Sequence, residues 1–132
     1  MAARIGKEIA VTAANKVGML ADISRKLSDS GINIEAAAGY ALGNEAKIML
    51  VTADNARAVD VLKKAGYASI GENEVVIADL ENKAGALKQV TANLAAAGVD
   101  IKQVYGSTCS SGACASKIVF STNNNQKALT VI

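Results

Sequence analysis

The strongest constraint on the fold is that the sequence contains two copies of one pattern. The run Lys16–Leu20 (KVGML) returns 67 residues later as Lys83–Leu87 (KAGAL). Other pairs at this offset are Asn15 and Asn82, Gly31 and Gly98, Ile34 and Ile101, and Gly39 and Gly106. Beyond Gly106 the offset becomes 70 residues, which pairs Lys47 with Lys117 and Asn55 with Asn125. Such spacing is typical of a duplicated unit, and it predicts domains at residues 1–71 and 72–132.

The first copy predicts the element order strand, helix, two strands, helix, strand. Alternating apolar residues predict strands, and apolar residues three and four apart predict a helix that Gly31 ends. Asp54 and Asn55 are both candidate N-caps for the second helix. The predicted elements are strands at Lys7–Ala13, Ile32–Ala38, Ala46–Thr52 and Tyr67–Ile70, and helices at Met19–Ser30 and from Asp54 or Asn55 to Lys64.

The second copy predicts the same order but stops early. Val75–Leu80, a helix ended by Gly98, a hairpin and a last helix after Asn125 follow in turn, and Ile132 corresponds to Leu62. We therefore expect an α+β fold of two ferredoxin-like βαββαβ units, with antiparallel sheets and helices on one face. The second unit is expected to lack its last strand, which would leave one sheet edge short.

Composition limits the functions that this chain can have. The sequence has no histidine, and its net charge is only +2, with 3% aromatic residues. The commonest general base and metal ligand is therefore absent, and base-stacking platforms are scarce. Apolar runs are too short for a membrane helix or a secretory signal. We expect a cytoplasmic protein with no cofactor, no nucleic-acid partner and no membrane partner.

A strand, a turn of the type Asn-x-x-Gly-x-Leu, a helix and then Gly-Ile-Asn-Ile resemble the ACT domain family. The first copy carries this pattern at Asn15–Leu20 and Gly31–Ile34, and the second carries it at Asn82–Leu87 and Gly98–Ile101. The resemblance implies small regulatory modules of amino-acid metabolism, closest to stand-alone tandem forms. The family usually has proline before the turn glycine, whereas this chain has Val17 and Ala84.

The resemblance also implies where an effector would bind. In that family effectors lie at an interface between ACT units, between the glycine turn and the start of the second strand. Carried onto this chain, the site residues are Asn15, Val17, Gly18, Met19, Leu20, Asn33 and Ile34 in the first copy, and Asn82, Ala84, Gly85, Ala86, Leu87, Asp100 and Ile101 in the second.

The chemistry of the turn is suited to an amino acid. A glycine lets a ligand approach the backbone, and a helix N-terminus favours a carboxylate. Asn15 and Asn33 each carry a donor and an acceptor, so together they could hold a carboxylate and an ammonium group. Asp100 replaces the amide of Asn33 in the second copy, and we expect the first copy to be the better site. Alternatively, the glycines only open tight turns and the asparagines cap their own loops.

Cys109 and Cys114 flank Ser110–Ala113 at the tip of the predicted second hairpin, where the insertion lies. Three interpretations remain: reduced thiols without a role, a disulfide that acts as a redox switch, and a metal site. Two thiolates without histidine make only half a zinc site, so a metal is the weakest of the three.

These observations predict a non-catalytic regulatory module that binds an amino acid or a similar small molecule. No acid–base or nucleophilic cluster emerges, so we do not expect an enzyme. The expected partners are a second copy of the chain, joined through sheet edges or helices, and an enzyme or regulator that receives the signal. The alternatives are a structural or protein-interaction module of the same fold without a ligand, a small ferredoxin-like enzyme, and an RNA-binding sheet.

Overall fold

The computed structural model describes residues 2–108 and 115–132, which form six strands and four helices. In chain order they are β1 (Ala2–Ala14), α1 (Met19–Asp29), β2 (Ile34–Leu42), β3 (Glu45–Thr52), α2 (Asn55–Lys64), β4 (Ser69–Leu80), α3 (Ala86–Ala96), β5 (Ile101–Ser107), β6 (Ser116–Thr122) and α4 (Asn125–Val131). The α+β class and the repeated βαββαβ order agree with the prediction.

The chain forms two compact units, and two of the strands have residues in both units. The first unit is Lys7–Asn73, and the second unit comprises residues 2–6 and Glu74–Ile132. Strands β1 and β4 each begin in one unit and end in the other. This division differs from the one at residues 71 and 72 that the repeat suggests, because the repeat shows sequence similarity and not which residues pack together.

The first unit has the strand order β2-β3-β1-β4. Strands β1 and β3 are antiparallel, with Ile9 opposite Leu50 and Val11 opposite Ile48, and β2 is antiparallel to β3. These alternating residues share one face, and the two helices cover it. The buried helix residues in this core are Met19, Ile23 and Leu27 of α1 and Ala58 and Leu62 of α2.

The second unit has the strand order β5-β6-β4-β1. Its core brings Val76, Ala78, Ile118 and Phe120 of the sheet together with Val90 and Leu94 of α3 and Ala128 of α4. The second repeat has no fourth strand of its own, as predicted. The expected short sheet edge is wrong, however, because residues 2–6 of β1 lie in this unit, where Ala3 and Ile5 pack against the core.

Two further boundaries differ from the sequence predictions. The short fourth strand predicted at Tyr67–Ile70 and the strand predicted at Val75–Leu80 are parts of one strand, β4. Asn55 does not cap α2: the cap is Asp54, whose carboxylate accepts a hydrogen bond from the Arg57 N–H at 3.1 Å. Asn124 caps α4 in the same way.

Asn55 and Asn125 have a different role, which is to hold the crossing strands. The Nδ2 of Asn55 donates to the carbonyl of Lys7 at 2.9 Å, and that of Asn125 donates to the carbonyl of Glu74 at 3.0 Å. Lys7 and Glu74 are the residues at which β1 and β4 pass from one unit into the other. The two asparagines therefore fix the backbone at both crossing points.

Candidate functional site

The glycine turn of the first unit presents the open end of a helix. Gly18 is the N-cap of α1, with φ of 90°, and no side chain donates or accepts a capping hydrogen bond there. The first intrahelical bond runs from the Asp22 N–H to the Gly18 carbonyl at 2.9 Å. The N–H groups of Leu20 and Ala21 precede that bond, and they lie at the positive end of the helix dipole.

A cleft of about 620 Å³ opens beside this turn and is called the first-unit cleft below. Its walls are the end of β1, the start of α1 and the connection between α2 and β4. Of the described residues that line it, Lys16 and Asp22 are charged. The remaining lining residues are Thr12, Ala13, Ala14, Val17, Gly18, Met19, Ala65, Gly66, Tyr67, Ala68 and Ser69.

Asp22 is held in place by two partners. The Tyr67 hydroxyl donates to Oδ2 of Asp22 at 2.6 Å, and the Arg25 guanidinium lies 3.0 Å from Oδ1. The hydrogen bond from Tyr67, together with Lys26 and Arg25, holds the pKa of Asp22 below its ordinary value of 3.8. Burial and the bond to Asp22 raise the pKa of Tyr67 to about 12. At neutral pH this pair is therefore a carboxylate and a neutral phenol.

The second unit has a related but smaller cleft, the second-unit cleft, with a volume of about 360 Å³. Gly85 caps α3 with φ of 90°, as Gly18 caps α1. At the repeat position of Asp22 this cleft has Gln89, whose Nε2 donates to Oδ1 of Asn93 at 3.1 Å. Its charged residues, Glu81 and Lys83, pair with each other at 2.7 Å. The clefts are alike in backbone and different in chemistry.

The structure brings together only part of the predicted first-copy site. Val17, Gly18 and Met19 line the first-unit cleft, whereas Asn33 and Ile34 line a separate depression with Ser24, Ser28, Gly31 and Ile32. Asn15 donates its N–H to the Asn44 carbonyl, before β3, and Asn33 accepts from the Ala53 N–H, after β3. They lie at opposite ends of an eight-residue strand, roughly 25 Å apart. Within a single unit they are therefore too far apart to hold one ligand, and the predicted site at an interface between units stays a prediction.

The predicted residues of the second copy divide in the same way. Ala84, Gly85 and Ala86 line the second-unit cleft. Asn82 and Leu87 line a cavity of about 220 Å³ beside the ends of β5 and β6. Asp100 and Ile101 are at the other end of β6, where the Asp100 N–H donates to Oδ1 of Asn123 at 3.0 Å. Leu20 and Leu87, which the repeat places at equivalent positions, are both partly exposed.

Sequence reasoning missed Lys16, Asp22 and Tyr67 as residues of the cleft. The position of Asp22 could have indicated its role, because it follows the helix start Met19 by three residues and so lies about one turn from Gly18. Nothing in the sequence indicates the role of Tyr67, since it is 45 positions from Asp22 and only the fold brings the two residues together.

Cys109 and Cys114 lie outside the described residues, so the three interpretations of these cysteines all stay open. Among residues 2–108 and 115–132, no group of three or more His, Cys, Asp or Glu side chains is placed to hold a metal ion. No helix in these same ranges is long and apolar enough to cross a membrane.

A known domain family matches part of the first unit. The sequence model of the ACT domain family matches residues 7–65, which cover the elements from β1 to α2 of the first unit. The first unit is therefore similar to an ACT domain over these residues, and the second unit repeats its topology. The comparison with curated proteins gives no match.

Solved structures show the same tandem fold. A protein from Bacteroides thetaiotaomicron has a TM-score of 0.87 and 24% identity over 98% of this chain and 87% of that chain. The ligand-free regulatory subunit of aspartate kinase from Thermus thermophilus has a TM-score of 0.68 and 12% identity over 98% and 93%. Aspartokinase alpha and beta subunits give 0.64 and 17% over 99% and 94%. At these identities the likeness establishes the fold.

Proposed function

We propose that this protein is a non-catalytic regulatory module that binds an amino acid or a similar small effector in the first-unit cleft. The observation that carries the proposal is the meeting of an uncapped helix N-terminus, a lysine and a fixed carboxylate in one cleft. A cleft of about 620 Å³ is within the usual range for small-molecule sites.

The carboxylate of the effector would bind at the start of α1. Gly18 and Met19 at this helix start line the cleft, and the helix dipole favours a negative charge there. Lys16 adds a cation on the same wall. The missing proline is consistent with this role, because Val17 keeps a backbone N–H that proline would lack.

A regulatory role is supported by the fold. The ACT domain is a regulatory module, and one of the similar structures is named as a regulatory subunit of aspartate kinase. An effector can act only by binding two states of the protein with different affinity. We propose a second copy of the chain, and an enzyme or regulator, as the partners that distinguish those states.

The edge strand β2 supports pairing with a second copy. Among the described strands β2 neighbours only β3, and its other edge offers free backbone groups. Tyr40 and Leu42 are exposed on this strand, with 53% and 77% of their surface accessible. Sedimentation should therefore show a dimer that Leu42→Lys weakens. A wild-type monomer at all concentrations would contradict this part of the proposal.

Binding is tested by melting the protein with each of the twenty standard amino acids at millimolar concentration. An amino acid present at about 100 times its Kd should stabilise the protein by roughly 2.7 kcal/mol. Lys16→Ala should weaken that binding by about three- to tenfold, and Lys83→Ala, its repeat equivalent, serves as the matched control. If no amino acid raises the Tm, the module has no such effector, and the protein-interaction alternative replaces this proposal.

A further inference from the structure

Two polar clusters of the same composition lie at the starts of the helices α2 and α4. Thr52 and Asn55, called the first clamp below, are in the first unit, and Thr122 and Asn125, the second clamp, are in the second unit. In the first clamp, Oδ1 of Asn55 accepts from the N–H of Thr52 at 3.1 Å and from its hydroxyl at 2.7 Å. The second clamp repeats both bonds at 3.0 and 2.7 Å. Because both threonines are buried, these bonds fix the orientation of each asparagine amide.

Each clamp holds a backbone carbonyl at a crossing point. The amide nitrogen of the first clamp donates to the Lys7 carbonyl at 2.9 Å, and that of the second clamp donates to the Glu74 carbonyl at 3.0 Å. Residues 2–6, which precede Lys7 in β1, belong to the second unit, and residues 69–73, which precede Glu74 in β4, belong to the first. Each clamp therefore holds a strand at the residue where it enters the opposite unit.

Residues 2–6 have few contacts of their own that could hold them in the second unit. Ala3 and Ile5 are only partly buried against its core. Arg4 lies 3.9 Å from Asp79, with 51% and 36% of their side chains exposed, and an ion pair of this kind contributes little. The position of the segment therefore depends on the anchored carbonyl of the residue that follows it.

Residues 69–73 show the same weakness in the first unit. Ile70 is partly buried against the first core, whereas the other four residues of the segment are exposed. A segment with so few buried contacts opens easily unless a neighbouring residue is fixed. For residues 69–73 that neighbour is Glu74, which the second clamp holds.

We propose that the two clamps couple the units reciprocally. A change at the start of α2 reaches the second unit through residues 2–6, and a change at the start of α4 reaches the first unit through residues 69–73. The route is the continuous strand itself, because each clamp fixes a carbonyl beside the boundary. This coupling goes beyond the proposed function and needs no ligand. It gives a regulatory module a physical link by which the state of one unit changes the stability of the other.

Residue-resolved hydrogen exchange of the full chain tests the first direction. Asn55→Asp keeps the acceptor for Thr52 but cannot donate to the Lys7 carbonyl, so it releases the strand. The amides of residues 74–80, in the strand that neighbours β1, should then exchange about five- to thirtyfold faster than in the wild type. Asn55→Ala, which also removes the acceptor, should accelerate them at least as much. Wild-type rates at residues 74–80 in both variants would overturn the proposal.

Asp54→Ala is the matched control. Asp54 caps α2 beside Asn55, and its removal weakens the same helix without releasing the Lys7 carbonyl. It should therefore accelerate exchange within α2 and leave residues 74–80 at the wild-type rate. If Asp54→Ala accelerates residues 74–80 as much as Asn55→Asp does, the effect is a general loss of stability and the coupling is wrong.

The opposite direction is tested with Asn125→Asp. This variant should accelerate exchange of residues 69–73 and of residues 7–14 in the first unit. Asn124→Ala, which removes the cap of α4, should not. An effect in one direction only would contradict the reciprocity. Because no ligand takes part, these results are independent of whether the first-unit cleft binds an effector.

Discussion

The hydroxyl of Tyr67 donates a 2.6 Å hydrogen bond to Oδ2 of Asp22, across 45 positions of sequence. The bond joins the connection before β4 to the first turn of α1, and both residues line the first-unit cleft. It is charge-assisted, because a neutral phenol donates to a carboxylate. One wall of the cleft is therefore held by a hydrogen bond that is strongest when Tyr67 is protonated and Asp22 is ionised.

Tyr67 should ionise at a higher pH than an ordinary tyrosine. Its pKa is raised from 10.0 to about 12, since burial and Asp22 both disfavour the phenolate. The folded state then keeps a proton that the unfolded state has lost, so the free energy of unfolding should fall as the pH rises from about 10 to about 12. Near-ultraviolet absorbance should show the ionisation of Tyr67 as a step near pH 12.

Tyr67→Phe should remove both the late absorbance step and the alkaline loss of stability. Tyr40→Phe is the matched control, since Tyr40 is exposed and lies outside the cleft. A late step that persists in Tyr67→Phe and vanishes in Tyr40→Phe would contradict the assignment.

The segment 2–6 should stabilise the second unit and not the first. Ile5 packs against the core of the second unit, and Ile70 of β4 packs against that of the first. Because both are partly buried, each change to alanine should cost about 1–2 kcal/mol, below the value for a fully buried isoleucine. Native-state hydrogen exchange should show faster opening of α3 and β6 in Ile5→Ala, and of α1 and β3 in Ile70→Ala. Equal effects on both units in either variant would argue against this partition.

Asn55 and Asn125 should contribute more to stability than exposed asparagines do. Each side chain accepts hydrogen bonds from the N–H and hydroxyl of a threonine, Thr52 or Thr122, and donates one to a crossing strand. Replacing either residue by alanine should cost about 2 kcal/mol, because the threonine groups lose their partner in a partly buried place. Denaturant unfolding measures the loss. Asn44→Ala, in the turn between β2 and β3, should have a much smaller effect.

The turn glycine Gly18 should resist substitution for a conformational reason alone. Its φ is +90°, and a Cβ added there would meet nothing within 4 Å. Gly18→Ala should therefore cost about 1 kcal/mol through backbone strain without any clash. Gly71 has equally open surroundings and an ordinary φ, so Gly71→Ala should stay within about 0.5 kcal/mol of the wild type. Similar losses in the two variants would show that strain at Gly18 is not the cause.

Local signals explain why so much of the fold follows from the sequence. Gly18 and Gly85 are the N-caps of α1 and α3. These two helices end just before Gly31 and Gly98, which have positive φ, as predicted. Apolar spacing identified the buried stripe Ile23 and Leu27. Because the sequence is duplicated, both copies predict the same order of strands and helices.

Pairings between distant segments could not be predicted in this way. The alternation of Ala3 and Ile5 with Arg4 fits a strand but does not say which sheet receives it. Likewise, the residue types of Asn15 and Asn33 are suited to one ligand, but the sequence does not show that the two residues lie at opposite ends of β3 within one unit.

The sequence alone determined the two repeats, their strand and helix order and their glycine turns, because periodicity and backbone conformation are properties of neighbouring residues. Tertiary structure alone decided that β1 and β4 each serve both units, and that Tyr67 holds Asp22 beside the first turn. These relationships depend on which surfaces bury one another, and the free energy of that burial is shared among residues far apart in the chain.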